Sequence, residues 1–197
     1  MKTLISLAVV LLTSPLFSQD INPKLYNKSW LDNETRYDNG YAITRVFGHV
    51  FHAPAAYNFL PITAIAYKDL GQLKAELTKE AEENHWSTEE RDQKFRELEK
   101  NAKGGELEIY ISRFDDNRAN FRWFFIIIRG ADDKGKLWEK YLDYQAPEVP
   151  YDRGWWNYTT VQIPIELKPP FYVYLDDKLS QYLSDFKFLV EKAPQNQ

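Results

Sequence analysis

The stretch 121-FRWFFIIIR-129 carries large apolar side chains at both odd and even positions. Because successive side chains of a β-strand point to opposite faces, such a strand is expected in the centre of a sheet. The turn sequence 131-ADDKG-135 follows directly, and it predicts a hairpin with a partner strand over residues 136–144. This hairpin indicates a β protein.

Further strands are predicted on both sides of the hairpin. Residues 106–114 alternate polar and apolar side chains, which places Leu107, Ile109 and Ile111 on one face. Similar short patterns lie at residues 41–51, 62–67, 158–165, 171–175 and 186–190. A set of about eight short strands separated by turns predicts a mainly β fold, an antiparallel β-sandwich.

Residues 69–103 interrupt the strand pattern with a predicted α-helical hairpin. Asp69 is a suitable N-cap for a first helix, and 87-STEE-90 has the form of a capping box that opens a second one. Gly104 and Gly105 end the second helix, since glycine adopts the left-handed conformation of a helix stop. The apolar stripes of both helices are thin, so the hairpin is expected to lie on the β domain along a narrow seam.

The N-terminal residues have the layout of a secretory signal peptide. Lys2 precedes an apolar segment that is too short to span a bilayer, and Pro15 and Ser18 precede the expected cleavage point. The predicted organisation is a signal peptide at 1–18, a polar lead-in segment at 19–40, a single sandwich domain at 41–191 with the helical hairpin at 69–103, and a tail at 192–197.

The composition limits the possible functions. The chain has 197 residues, no cysteine and a formal net charge of −4. Without cysteine it has no disulfide, no thiolate nucleophile, no thiolate metal site and no cysteine to carry a lipid. The acidic charge argues against nucleic-acid binding, and no later segment is long and apolar enough to span a membrane. We therefore expect a periplasmic or secreted bacterial protein that is not a lipoprotein.

The segment 151-YDRGWWNY-158 is the predicted ligand-binding site. Its two adjacent tryptophans point to opposite faces of a strand, so one of them faces away from the core unless a loop or the helical hairpin covers it. An exposed indole beside acidic, basic and amide groups suits stacking on a sugar ring or docking on a protein. The candidate ligand-binding residues are Tyr151, Asp152, Arg153, Trp155, Trp156 and Tyr158.

Acidic loops are expected at the same end of the sandwich. If consecutive strands reverse direction, this end collects Asp115, Asp116, Asp152, Asp176 and Asp177. Oxygen-rich loops can bind calcium, but Asp is also an ordinary turn residue that bonds to its own backbone. The turn role is favoured, so no cofactor is expected, with calcium as the alternative.

No catalytic residues and no metal site are predicted. His49 and His52 lie three positions apart on a predicted strand and point to opposite faces, so they cannot share a metal ion. No motif of a serine hydrolase, a zinc hydrolase or a phosphate-binding loop is present.

The leading hypothesis for the function is an exported, non-enzymatic binding module for a carbohydrate or protein partner. Two alternatives stay open. One is an exported hydrolase that acts on glycans with unassigned carboxylates. The other is a structural envelope component that uses its helical hairpin for protein contacts.

Overall fold

Residues 33–48, 62–147, 149–151, 154–179 and 185–194 are described by the computed structural model. Within these ranges the chain forms ten strands and two α-helices. The strands are β1 (Thr35–Asp38), β2 (Tyr41–Phe47), β3 (Ile62–Lys68), β4 (Glu106–Arg113), β5 (Phe124–Arg129), β6 (Lys136–Tyr141), β7 (Val149–Tyr151), β8 (Gly154–Gln162), β9 (Phe171–Asp177) and β10 (Asp185–Lys192). The helices are α1 (Leu70–Glu83) and α2 (Thr88–Asn101).

The strands form two antiparallel sheets of unequal width. The wide sheet has six strands in the order β1-β2-β10-β9-β5-β6, and the narrow sheet has four in the order β3-β4-β8-β7. Neither sheet closes into a barrel, and the helices are inserted between β3 and β4. The predicted mainly β, sandwich-like fold with a helical insertion is confirmed.

The core lies between the two sheets. Alternate residues of the inner strands are fully buried, as shown by Ile126 and Ile128 of the wide sheet and Leu107, Ile109 and Ile111 of the narrow sheet. Burying an aliphatic side chain of this size contributes about 1.5–3 kcal/mol. β5 lies between β9 and β6, inside the sheet, as its apolar pattern predicts.

Several element boundaries differ from the expectation. β1 lies inside the predicted polar lead-in segment and pairs with β2 through a turn at Asn39 and Gly40, whose φ angles are 51° and 74°. Residues 121–123 form a 3-10 helix before β5, since the side chain of Asn120 accepts a hydrogen bond from Arg122 N. β8 begins at Gly154, so Trp155 lies within the strand. The predicted signal peptide, His49 and His52 lie outside the described residues.

Both helix caps form as their sequences predict. Asp69 caps α1 and Ser87 caps α2, each in a complete capping box. Asp69 also accepts a 2.6 Å hydrogen bond from Tyr41 Oη, which joins the start of α1 to the wide sheet. After α2, Gly104 N donates to Ile163 O at 2.9 Å, and a Cβ at Gly104 would lie 2.3 Å from Ile165 O. Glycine is therefore required here by close packing.

A buried ion pair joins the sheets at the other end of the sandwich, which we call the rim end, where β4 and β9 finish and β8 begins. Arg113 Nη2 lies 3.2 Å from Asp177 Oδ2, and both side chains are less than one-tenth exposed. Arg113 also donates to Ile62 O at 2.6 Å and to Thr63 Oγ1 at 2.9 Å. Three strands thus meet at one guanidinium.

Removal of the Arg113 charge is expected to destabilise the protein strongly. Arg113→Met leaves Asp177 buried and unpaired, which should lower the free energy of unfolding by about 3–5 kcal/mol. The double variant Arg113→Met/Asp177→Leu should recover part of this loss, because it buries no charge. Urea unfolding followed by tryptophan fluorescence measures both.

The control is Arg118→Met at the same end of the sandwich. Arg118 makes a 3.4 Å ion pair with Asp115 that is partly exposed to solvent, so its loss should cost less than about 1 kcal/mol. Equal losses in the free energy of unfolding for Arg113→Met and Arg118→Met would contradict the structural role of the buried pair.

Candidate binding site

The structure places Trp155 and Trp156 on opposite faces of β8. Trp155 pairs with Arg113 and therefore lies at an inward-facing position, whereas Trp156 pairs with Ser112 on the outer face of the narrow sheet. Both indoles are half-buried, and Trp156 packs against the core cluster. Trp156 therefore contributes to the packing of the narrow sheet.

The other predicted site residues are distributed around this strand. Tyr158 is half-buried on the outer face of the narrow sheet, with its ring centroid 5.0 Å from that of Tyr110. Tyr151 ends β7 and pairs with Gly154 through the backbone. Asp152 and Arg153 lie outside the described residues. Ligand binding by the 151–158 segment stays a prediction.

The aspartates of the rim end have local partners. Asp115 Oδ1 accepts a hydrogen bond from Arg118 N at 2.7 Å, and Asp116 Oδ1 accepts one from Asn117 N at 2.8 Å. Asp177 is paired with Arg113. Within the described ranges there is no group of three or more His, Cys, Asp or Glu side chains placed to hold a metal ion. Calcium binding stays a prediction, since Asp152 lies outside those ranges.

A groove forms where the narrow sheet fails to cover the wide one. β7 has three residues and pairs only with residues 154–156 of β8. Along residues 157–162 of β8, no strand in the described part of the chain pairs on the side away from β4. The gap between this edge of β8 and strand β6 is a groove of about 450 Å³. Its size falls within the range of ligand-binding clefts.

One wall of the groove comes from β6, the edge strand of the wide sheet. Trp138 and Lys140 pair with Ile128 and Ile126, whose side chains are buried in the core, so both occupy inward-facing positions. Because β8 covers only part of this face, the Trp138 indole is half-buried: it packs against the core cluster and also lines the groove. An aromatic side chain therefore meets solvent inside a concave surface.

The other wall comes from the edge of the narrow sheet and is mostly polar, with Val161 and Pro164 as its apolar members. Glu106 begins β4 and pairs with Gln162 of β8, and both line the groove together with Thr160 and Asn101 at the end of α2. These side chains offer hydroxyl, amide and carboxylate groups, which can both donate and accept hydrogen bonds. The arrangement suits a ligand with an apolar face for the indole and hydroxyl groups for the polar wall.

Glu106 is the titratable group of this wall whose pKa is shifted. Burial raises the pKa of its carboxyl above the ordinary value, Lys68 opposes the rise, and the carboxylates of Glu108 and Glu76 add to it. A carboxyl with a raised pKa in a cleft marks a candidate functional group, because an ionised group held there costs stability.

The groove residues do not stand out in the sequence. The pattern of residues 136–144 predicts a strand but gives Trp138 no special role. The available signal was a tryptophan in the charged strand 136-KLWEKY-141, where an edge position next to solvent favours polar residues. No sequence pattern points to Glu106 or Gln162 as site residues, because they become neighbours only when β4 pairs with β8.

Compared with known protein families, with curated proteins and with solved structures, the chain shows no significant match. Neither helix in the described part of the chain has the length and apolar content needed to cross a bilayer. The groove and the exposed surface are therefore the features that bear on function.

Replacement of Glu106 by glutamine is expected to stabilise the protein at neutral pH. Glu106→Gln keeps the shape and removes the buried charge, so the variant should unfold at a higher urea concentration than wild type near pH 7. As the pH falls through the raised pKa of the folded state towards the ordinary carboxyl value, wild-type Glu106 becomes protonated and the difference should disappear. Urea unfolding across this pH range measures the effect.

Glu166→Gln serves as the control, because the Glu166 side chain is largely exposed. The stability of Glu166→Gln in urea should differ little from that of wild type at any pH. A wild type that is more stable than Glu106→Gln near neutral pH would contradict the assignment of Glu106 as a strained carboxylate.

Proposed function

We propose that this protein is an exported, non-enzymatic carbohydrate-binding module that holds its ligand in the groove between β6 and β8. The observation that carries the proposal is the position of Trp138, a half-buried indole that lines an open groove together with mostly polar side chains. The predicted signal peptide and the absence of cysteine support an exported protein without a lipid anchor.

Carbohydrate is the ligand class that uses both walls. A sugar ring has an apolar face of C–H groups, which stacks on an indole, and a periphery of hydroxyl groups, which require donors and acceptors. Trp138 supplies the stacking surface, and Glu106, Gln162 and Thr160 supply the polar partners. A groove that is open to solvent also admits a unit within a longer polymer.

The lining favours binding over hydrolysis. Glycoside hydrolases use two carboxyl groups on either side of the scissile bond, separated by roughly 5–9.5 Å. Among the described residues of the lining, Glu106 is the one carboxylate. It can accept hydrogen bonds from a sugar hydroxyl, but it lacks the second acid or base that bond cleavage requires.

Loss of the Trp138 indole is expected to abolish retention on a polysaccharide. Trp138→Ala removes the stacking surface and should weaken binding about tenfold or more, which corresponds to about 1.4 kcal/mol. Trp138→Tyr keeps an aromatic face and should retain part of the affinity. Binding is measured by sedimentation with insoluble cellulose, chitin, xylan and peptidoglycan, with thermal unfolding recorded for each variant.

Trp86→Ala is the matched control, since Trp86 lies in the turn between α1 and α2 and stacks with Lys94 at 4.4 Å. It should leave retention unchanged. Equal retention of the Trp138→Ala and wild-type proteins, or no retention of wild type on any of the four polymers, would refute the proposed site. Release of soluble sugar from a retained polymer would favour the hydrolase alternative.

A further inference from the structure

A second surface combines exposed aromatic rings with cations on the outer side of the wide sheet, at the rim end. We call it the cationic aromatic face and define it by its residues Arg122, Trp123, Phe125, Tyr141, Tyr144 and Lys178. Tyr141 and Tyr144 are 61% and 68% exposed, which makes them the two most exposed large hydrophobic side chains in the described residues. No strand or helix of the described chain covers them.

The first half of this face is built on β5 and β6. Phe125 and Tyr141 are directly paired across the two strands, and their ring centroids lie 4.2 Å apart. Lys178 Nζ lies 4.0 Å from the centroid of Tyr141 and 5.5 Å from that of Phe125. The ammonium group is therefore held directly above an aromatic pair, a geometry that attracts a cation to the ring face.

The second half is joined to the first through the backbone. Lys178 N donates a 2.9 Å hydrogen bond to Trp123 O. The Arg122 guanidinium carbon lies 4.6 Å from the Trp123 ring centroid and 5.7 Å from that of Tyr144. Arg122 Nη2 also donates to Asn117 Oδ1 at 2.8 Å, which orients the guanidinium. Two cations thus stand over two aromatic clusters that one backbone hydrogen bond joins.

Neither cation is neutralised by a carboxylate in the described residues. Among the side chains that the structure describes, which do not include that of Asp185, no Asp or Glu oxygen lies within 4.0 Å of the side-chain nitrogens of Arg122 or Lys178. Other cations of the wide sheet have such partners: Lys187 pairs with Asp133 at 2.5 Å and Lys136 pairs with Glu139 at 2.7 Å. Asp176 also takes a position on this face, in register with Phe125, but neither Arg122 nor Lys178 forms an ion pair with it, so both cations can pair with an anion from outside.

We propose that the cationic aromatic face binds an acidic polysaccharide through its uronate units. A uronate carries a carboxylate on a sugar ring, so it matches both components of the surface at once. The ring lies against Tyr141 or Tyr144, and the carboxylate pairs with Lys178 or Arg122. A chain with a net charge of −4 has no general attraction for polyanions, so binding depends on these local cations.

This site is separate from the groove. Trp138 and Lys140 face inward from β6, whereas Tyr141 lies beside Phe125 on the outer face of the wide sheet. The second site goes beyond the proposed groove function and does not depend on it, so substitutions in one site leave the other intact.

The test measures binding of the purified protein to polygalacturonate and to the same polymer with its carboxylates methyl-esterified. Isothermal titration calorimetry is performed at low and at moderate salt. Wild type should bind the acidic polymer, bind the esterified polymer at least tenfold more weakly, and lose affinity for the acidic polymer as salt screens the charges. Arg122→Met/Lys178→Met should weaken binding of the acidic polymer at least tenfold.

The matched control is Arg96→Met/Lys79→Met, which removes the same two charges from the exposed surfaces of α2 and α1. It should bind the acidic polymer as wild type does. Tyr141→Phe should also bind like wild type, whereas Tyr141→Ala should bind more weakly, because only the latter loses the ring. These exposed positions are not needed for folding, and thermal unfolding verifies that.

Four results would overturn the proposal: no binding of polygalacturonate, equal binding of the esterified polymer, equal losses in the two double variants, or tighter binding to anionic phosphatidylglycerol vesicles than to polygalacturonate. Trp138→Ala separates the two sites. It should bind polygalacturonate as wild type does, and a loss in this variant would place the acidic ligand in the groove and refute the second site.

Discussion

The unequal widths of the two sheets are the constraint on which the rest of the molecule depends. Neighbouring strands lie about 4.8 Å apart, so a sheet of four strands cannot cover the inner face of a sheet of six. The buried core residues come from β2, β10, β9 and β5 of the wide sheet, whereas β6 contributes none. The uncovered part lies on the side of β6, and β7 is too short to fill it. The groove is the direct result of this shortfall.

Polar contacts join the two layers at both ends of the sandwich. At the rim end, the Arg113–Asp177 pair links β4 to β9 across the core. At the opposite end, Asp69 accepts a hydrogen bond from Tyr41 of β2 while it caps α1. Because charge-assisted hydrogen bonds cross between the layers at both ends, the sheets are restrained against sliding.

Strand β6 serves both candidate surfaces because it is an edge strand. Its inward positions carry Trp138 and Lys140, and its outward end carries Tyr141. An exposed edge invites pairing with other chains, and the lysines and glutamate of 136-KLWEKY-141 discourage this. The same strand can thus present aromatic rings to solvent without becoming a general site of association.

The sequence by itself determined the β-sandwich class, the position of the helical hairpin and both helix caps. These features depend on local patterns, namely the alternation of residues 106–113 and the capping boxes of Asp69 and Ser87, which a few neighbouring residues specify. The tertiary structure alone decided that Trp155 and Trp156 are half-buried within β8, and that Trp138 and Glu106 face a common groove. It also decided that Arg122 lies over the Tyr144 ring and that Lys178 lies over the Tyr141 ring. These relations follow from the pairing of strands that are distant in the chain and from the small length of β7, and no local pattern specifies either of them.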